Sequence, residues 1–200
     1  MSDVSIKNKT IAKAAYAAIG GKPKPEISRY WDENNKSFVD IMLCEDRPEK
    51  GVNTVTTIGI SDHPLFQGGE EYRDDEGALV RAEILGSYYK KVKVFPNIIA
   101  TAAFFVINSK WFCAPHAIFP DIVSMYLPRA SMKHLMFFPP FLWEDLKTME
   151  FDGVKVAWLM AIPISESEYQ FAIENTTDKL GELFEENDID YFDLNRKPLV

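Results

Sequence analysis

The chain is short of the features that mark secreted scaffolds, membrane proteins and nucleic-acid binders. Two cysteines, Cys44 and Cys113, in 200 residues are too few for a disulfide framework, and each sits in an apolar context. Both are therefore expected reduced and packed. The opening twenty residues interleave charges with alanines instead of placing a basic stretch before an apolar core, which predicts no signal peptide. The longest apolar run, residues 98–107, is interrupted by Thr101 and falls far short of the ~20 residues a membrane crossing needs. The expectation is a cytoplasmic protein.

Positive charge is also scarce. Lys and Arg number 22 against 30 Asp and Glu, a formal net charge of −8. Phosphate binding draws most of its free energy from cations that displace counterions, so this balance argues against direct contact with nucleic acid. The same sign suits a basic protein partner.

Catalytic signatures are missing too. Three histidines, His63, His116 and His134, belong to no zinc-protease, nucleophile-elbow or phosphate-loop pattern. Cys113 and His116 have a ligand-like spacing, but a metal site needs three or four ligands and no second such pair exists. Neither a metal nor another cofactor is expected. Ser61, Asp62 and His63 adjoin one another, whereas catalytic triads draw on distant segments. A turn is the favoured reading there, and an enzyme site around Asp62, His63 and His134 is the alternative. No catalytic residue is assigned.

What is present is the pattern of an α+β fold. Residues 5–19 read as an alanine-rich helix with Ile6, Ile11, Ala15 and Ala18 inward, stopped by Gly20-Gly21 and then Pro23 and Pro25. Four β-rich runs follow, 27–31, 38–44, 53–60 and 79–85, as a meander. In the last, Val80, Ala82 and Ile84 alternate with Arg81 and Glu83, which predicts a strand with one wet face. Residues 98–107 are apolar on every side and read as a buried helix with Pro96 in its first turn, a buried strand being the alternative. Segments 134–138 and 154–162 read as strands, the second central and ended by Pro163. Ser165 and Glu168 form a capping box with Ile164 and Tyr169 at the staple positions. Tyr169, Ile173, Thr176, Leu180, Leu183 and Asn187 then recur at helical spacing, in one long helix or two short ones. The whole predicts one domain over 1–200, a central mixed or antiparallel sheet flanked by N- and C-terminal helices.

Three segments are candidates for recognition. Residues 68–76 hold five acids against one base, with Glu70, Glu71, Asp74 and Asp75 the selected contacts. Residues 182–193 hold six acids and no base, with Glu185, Glu186 and Asp188 selected. Charge runs are more often plain solvated faces, which is the alternative for both. The third is the run 137–145, where two prolines fix an extended path and Trp143 precedes Glu144 and Asp145. Tryptophan anchors and carboxylates are interface chemistry, although large aromatics more often roof a core.

The same segments carry a resemblance. Residues 11–24 (IAKAAYAAIGGKPK), 40–46 with Arg47-Pro48, 57–63 (TIGISDH), 95–107, 118–126 (IFPDIVSMY), 132–145 and 156–169 (VAWLMAIPISESEY) resemble the bacterial suppressor-of-fused domain proteins over nearly the whole chain. Within that family the chain is most similar to immunity proteins that protect a producer from a secreted nuclease toxin of the LXG polymorphic class. The resemblance implies a suppressor-of-fused-like fold and an antitoxin that grips the toxin's nuclease domain in the cytosol. The alternative is a non-catalytic regulatory or scaffold protein of the same type that binds a host protein. Animal relatives hold a transcription-factor peptide between two domains, a mode not carried over to one domain. The family supplies no catalytic residues, and the acidic contacts above come from the sequence, not from the resemblance.

Overall fold

A computed structural model describes residues 4–22 and 24–200. The predicted stop at Pro23 lies outside the described residues. Helix α1 (Ile6–Ile19) starts where the Ser5 hydroxyl accepts from the Asn8 N–H and ends at Gly20, whose φ is 77°. Its buried stripe is Ile11, Ala15 and Ile19, spaced by four. Ile6 lies off that stripe and is 85% exposed, against expectation: five residues of helix turn it ~140° away from Ile11.

Strands β1 (Glu26–Trp31), β2 (Phe38–Glu45), β3 (Val52–Ile58) and β6 (Leu79–Tyr89) form the expected antiparallel meander, with a small hairpin of β4 (Phe66–Gln67) and β5 (Glu70–Glu71) inserted before β6. After α2 (Phe95–Ile107) come β7 (Ile118–Phe119), β8 (Met132–Phe138), β9 (Met149–Phe151) and β10 (Val154–Ser165). The strand order is β1-β2-β3-β6-β10-β8-β7, with β9 also on β10. Only β6 and β10 run parallel, so the sheet is mixed.

Both faces of the sheet are covered. On one, α2 packs Phe95, Ile98 and Ile99 against Ile41, Val55 and Ile84. Gly86 lets α2 come this close, since a Cβ there would meet Phe95 Cε1 at 2.9 Å. On the other, α1 and the loop after β8 cover Met42, Leu85, Trp158 and Met160. Glu83 of β6 points to that second face and is fully buried. The expected wet face of β6 is thus wrong at Glu83, because the alternation of charge and apolar residues carries no record of the turn after β3 that folds onto it.

In the C-terminal third one expectation is corrected and one open alternative is decided. β10 does not end at Pro163 but continues to Ser165. Its pairing with β6 stops at Met160, so Pro163 sits where one side of the strand is an edge, a position that tolerates a missing N–H. The helical region 166–187 is two helices, α3 (Glu166–Glu174) and α4 (Thr177–Asn187), with Thr176 capping the second through a hydrogen bond from the Lys179 N–H. The restart shifts the phase: Ala172, Leu180 and Phe184 are buried, while Ile173 is exposed. Gly181 allows α4 to lie against the Phe138 ring, 3.3 Å from where a Cβ would stand. The capping box at Ser165 and Glu168 is present in both its hydrogen bonds. Among the described residues no helix is long and apolar enough to cross a membrane.

Candidate partner-binding surface

The hairpin acids are largely answered from within the chain. Glu71 pairs with Arg81. Asp74 and Glu76 share Lys155 at 2.7 and 2.6 Å, and Asp74 also accepts from the Glu76 and Ala78 N–H groups. The Lys155 hydrogen bond, helped by those amides, holds the Asp74 carboxyl below its usual range, and the same pairs push the Lys155 ammonium up. Arg73 donates to the Gly77 carbonyl. Of the selected residues here, only Glu70 and Asp75 are exposed without an ion pair among the described residues.

The C-terminal acids are arranged in the opposite way. Glu182, Glu185 and Glu186 lie on the exposed side of α4, and Asp188 caps its C-terminus in the left-handed region at φ 45°. None of the four has an ion pair among the described residues, and the last turn of α4 holds no base. The C-terminal end of a helix is its negative pole, where a further negative charge costs about 0.3–1 kcal/mol at low salt. The chain therefore keeps carboxylates where the helix itself disfavours them. Asp190 accepts from the Tyr89 hydroxyl at 2.8 Å, which pushes that phenol up to about 12. Lys91 lies over the Tyr89 ring and has no carboxylate partner among the described residues.

The stretch is held rigid by a buried clamp that sequence reasoning missed. Arg196 donates to both oxygens of Glu168, at 2.5 and 2.8 Å, and Glu168 also accepts from the Ser165 and Leu199 N–H groups. Arg196 reaches the Pro163 carbonyl and lies over the Phe184 ring, 5.2 Å from its centroid. The capping box gave Glu168 one partner, and nothing in the sequence joins it to a residue 28 positions on.

The aromatic segment divides. Trp143 is buried, 8% exposed, among the residues under α1, so it roofs the core and is no surface anchor: the turns that follow Pro139-Pro140 aim it inward. Glu144 and Asp145 are exposed and unpaired among the described residues. Phe141 is half-exposed, and its ring meets Tyr191 edge-on at 5.1 Å. Tyr191 in turn is raised first by burial and then by the Asp188 and Glu185 carboxylates, against Arg196. The structure thus sets Phe141, three residues before Glu144, against Tyr191, which feels the Asp188 and Glu185 carboxylates. It leaves the hairpin apart: Arg81 and Lys155 lie at the start of β6 and β10, and Tyr89 ends β6, eight residues or about 26 Å along the strand.

The alternative enzyme residues do not meet. The Ser61 hydroxyl donates to Glu83, Asp62 takes Lys7 and Asn8, and burial, opposed by Asp62, lowers His63. His134 accepts from the Asp121 N–H through Nδ1 and contacts Glu166 through Nε2. No cleft described is lined by Asp62, His63 or His134. Both thiols are free and buried, and burial pushes Cys44 up to about 11 and Cys113 further. Among the described residues no group of three or more His, Cys, Asp or Glu is placed to hold a metal.

Residues 35–197 match the family described as Suppressor of fused protein (SUFU). The chain belongs to the suppressor-of-fused family. It is 42% identical over 198 residues to the Immunity protein YqcF of Bacillus subtilis, covering 98% of this chain and 99% of the relative. Two solved structures share the suppressor-of-fused fold. A homologue from Neisseria gonorrhoeae superposes at TM-score 0.66 with 18% identity over 97% of each chain. Drosophila Suppressor of Fused superposes at 0.66 with 8% identity, over 96% of this chain and 51% of the fly chain. At those identities the likeness speaks for the fold alone.

Proposed function

We propose that this chain is an immunity protein that binds a cognate secreted toxin in the cytoplasm and neutralises it by occlusion, without catalysis and without touching nucleic acid or membrane. The name borne by the 42%-identical relative supports the class. The structural observation that carries the reading is the row Glu182, Glu185, Glu186 and Asp188: exposed carboxylates with no ion pair among the described residues, the last three at the end of a helix whose dipole opposes them. Such charge is costly to the free protein and becomes useful when a second chain matches it.

The partner that fits is basic. We assign it to the nuclease domain of an LXG-class toxin, because a nuclease presents a cationic cleft to phosphates and an acidic protein can fill that cleft. Association should then be fast and sensitive to salt. Co-expression with the cognate toxin, sought among the genes next to this chain's own, tests the reading directly. Growth restored by this chain supports it, and growth arrest unrelieved at full expression of a folded chain sinks it. An association rate that stays flat between low and physiological salt would remove the electrostatic part alone.

A further inference from the structure

The large aromatic side chains that this fold leaves uncovered are not equivalent. Trp31 and Phe38 lie against each other, ring centroids 5.2 Å apart, and Phe38 also carries the Arg29 guanidinium at 3.8 Å. Charge is answered there within the chain, since Arg29 donates twice to Asp40 at 2.8 and 2.9 Å. Phe141 is 45% exposed and is set against Tyr191. None of the chain's described cations lies over its ring.

The place of Phe141 follows from the path of the chain beside α4. Phe138, the last residue of β8, lies on that helix: a Cβ at Gly181 would stand 3.3 Å from its ring, and its centroid is 6.2 Å from that of Phe184. Three residues on, after Pro139 and Pro140, Phe141 meets Tyr191 edge-on at 5.1 Å. The Tyr191 hydroxyl reaches back to the same helix, 3.5 Å from the Phe184 carbonyl. Burial raises the Tyr191 phenol first, and the Asp188 and Glu185 carboxylates raise it further against Arg196. That arginine is held by Glu168 and is itself buried. Phe141 and Tyr191 thus make an aromatic pair, open to solvent at Phe141 and edged on the α4 side by carboxylates without an ion pair among the described residues.

We propose that Phe141 and Tyr191 are the dry centre of the partner-binding surface: an apolar side chain of the partner protein seats on Phe141, and basic residues flanking it meet Glu185 and Asp188. Specific interfaces place a few aromatic anchors where water is excluded and leave charge at the rim. The rim selects the flanking residues, because unpaired carboxylates repel an acidic segment and attract a basic one. The two parts act on different rates. Charge governs how fast the chains meet, and burial of the anchor governs how slowly they part. The assignment rests on the reading of this chain as an inhibitor of a basic protein, and it names the residue that holds the complex once the acids have steered it.

The test uses the full chain, labelled with nitrogen-15, and two blocked tripeptides of equal charge as probes, Arg-Phe-Arg and Arg-Gly-Arg. The expected result is saturable movement of the Phe141, Glu185, Asp188 and Tyr191 amide signals, with Arg-Phe-Arg bound about three- to tenfold more tightly. Phe141→Ala should bring the two peptides level, whereas Phe141→Leu, which keeps an apolar surface against Tyr191, should retain a preference of about twofold or more. Glu185→Gln should weaken both peptides alike, by about two- to fivefold. Equal binding of the two peptides to the unaltered chain, or shifts that leave Phe141 and Tyr191 unmoved, overturns the anchor. Growth rescue with the cognate toxin separates the two claims. If the peptides bind equally while the unaltered chain still protects, the immunity reading stands and the anchor falls. If the unaltered chain gives no protection but Arg-Phe-Arg seats at Phe141, the immunity reading falls and the surface chemistry holds.

Discussion

Five acids between Glu70 and Glu76 meet three cations, Arg73 beside them and Arg81 and Lys155 from the strands below, which leaves net −2. Six acids between Glu182 and Asp193 include no base and, among the described residues, gain none by ion pairing. In sequence the two stretches are alike. In the fold the first is a brace: its carboxylates tie the β4–β5 hairpin to β6 and β10, across 81 residues in the case of Asp74 and Lys155. The second is a display, built on a helix end where acids are unwelcome and held in place by a clamp beneath. An acidic run gains meaning only when its counter-charges are located.

The contrast is broken most strongly from below. Arg196→Ala removes the partner of a fully buried Glu168 and frees the segment that carries Asp188, Asp190 and Asp193. Stripping one member from a buried pair costs about 3–5 kcal/mol. Urea unfolding should show that loss in the midpoint, and the variant should protect poorly because its display has lost its frame. The matched change Asp74→Ala at the hairpin should cost about 1 kcal/mol or less, since that pair is solvent-facing.

Next in size is the charge itself. Glu185→Lys, Glu186→Lys and Asp188→Lys together should slow association with the toxin about 10- to 100-fold at low salt while leaving unfolding nearly unchanged. Stopped-flow mixing reads this. The loss should shrink as salt rises, because the Debye length contracts to about 8 Å at physiological strength. A rate that stays unchanged would mean that the α4 acids are a solvated face only.

The interior offers a pH-dependent counterpart. Glu83 accepts from the Thr57 and Ser61 hydroxyls and the Gly59 and Ser61 N–H groups, four hydrogen bonds that pin the turn after β3. Burial pushes its carboxyl above the ordinary value of 4.5, and these donors hold it back. An acid raised on folding holds its proton more tightly when folded. The stability it confers is complete below the ordinary value and is lost as pH rises from there through the folded value. Glu83→Gln should flatten that decline, which cannot exceed about 1.4 kcal/mol per pH unit for one proton. Denaturation from pH 4 upward measures it, and identical slopes in both proteins would refute it.

Residue spacing and composition were enough to read α1, α2, the meander and the capping box, because each is a local pattern. Ser165 and Glu168 lie three apart, and α2 is apolar all round. The misses are non-local. Glu83 alternates with apolar neighbours as a solvent-facing residue would, and the turn after β3, folded onto it through Gly59 and Ser61, makes the site dry. Trp143 beside two acids looks like an anchor until the turns after Pro139-Pro140 point it inward. The two acidic runs could not be told apart because Lys155 and Arg81 lie far along the chain from the carboxylates they neutralise.

The smallest effect is expected at the hairpin, and it bears most directly on the comparison. Glu70→Lys and Asp75→Lys reverse the two selected acids there that have no ion pair among the described residues, leaving Glu71 with Arg81 and Asp74 with Lys155. Stability should hold, since exposed unpaired charges away from caps and cores usually shift it by less than about 0.5 kcal/mol. Association with the toxin should slow by less than about threefold at physiological salt, because a surface about 26 Å along β6 from the Tyr89 end lies several Debye lengths from an interface centred on α4. A tenfold loss would place the hairpin inside the interface. The toxin would then span both ends of the β6–β10 pair, and its basic surface would have to be correspondingly long.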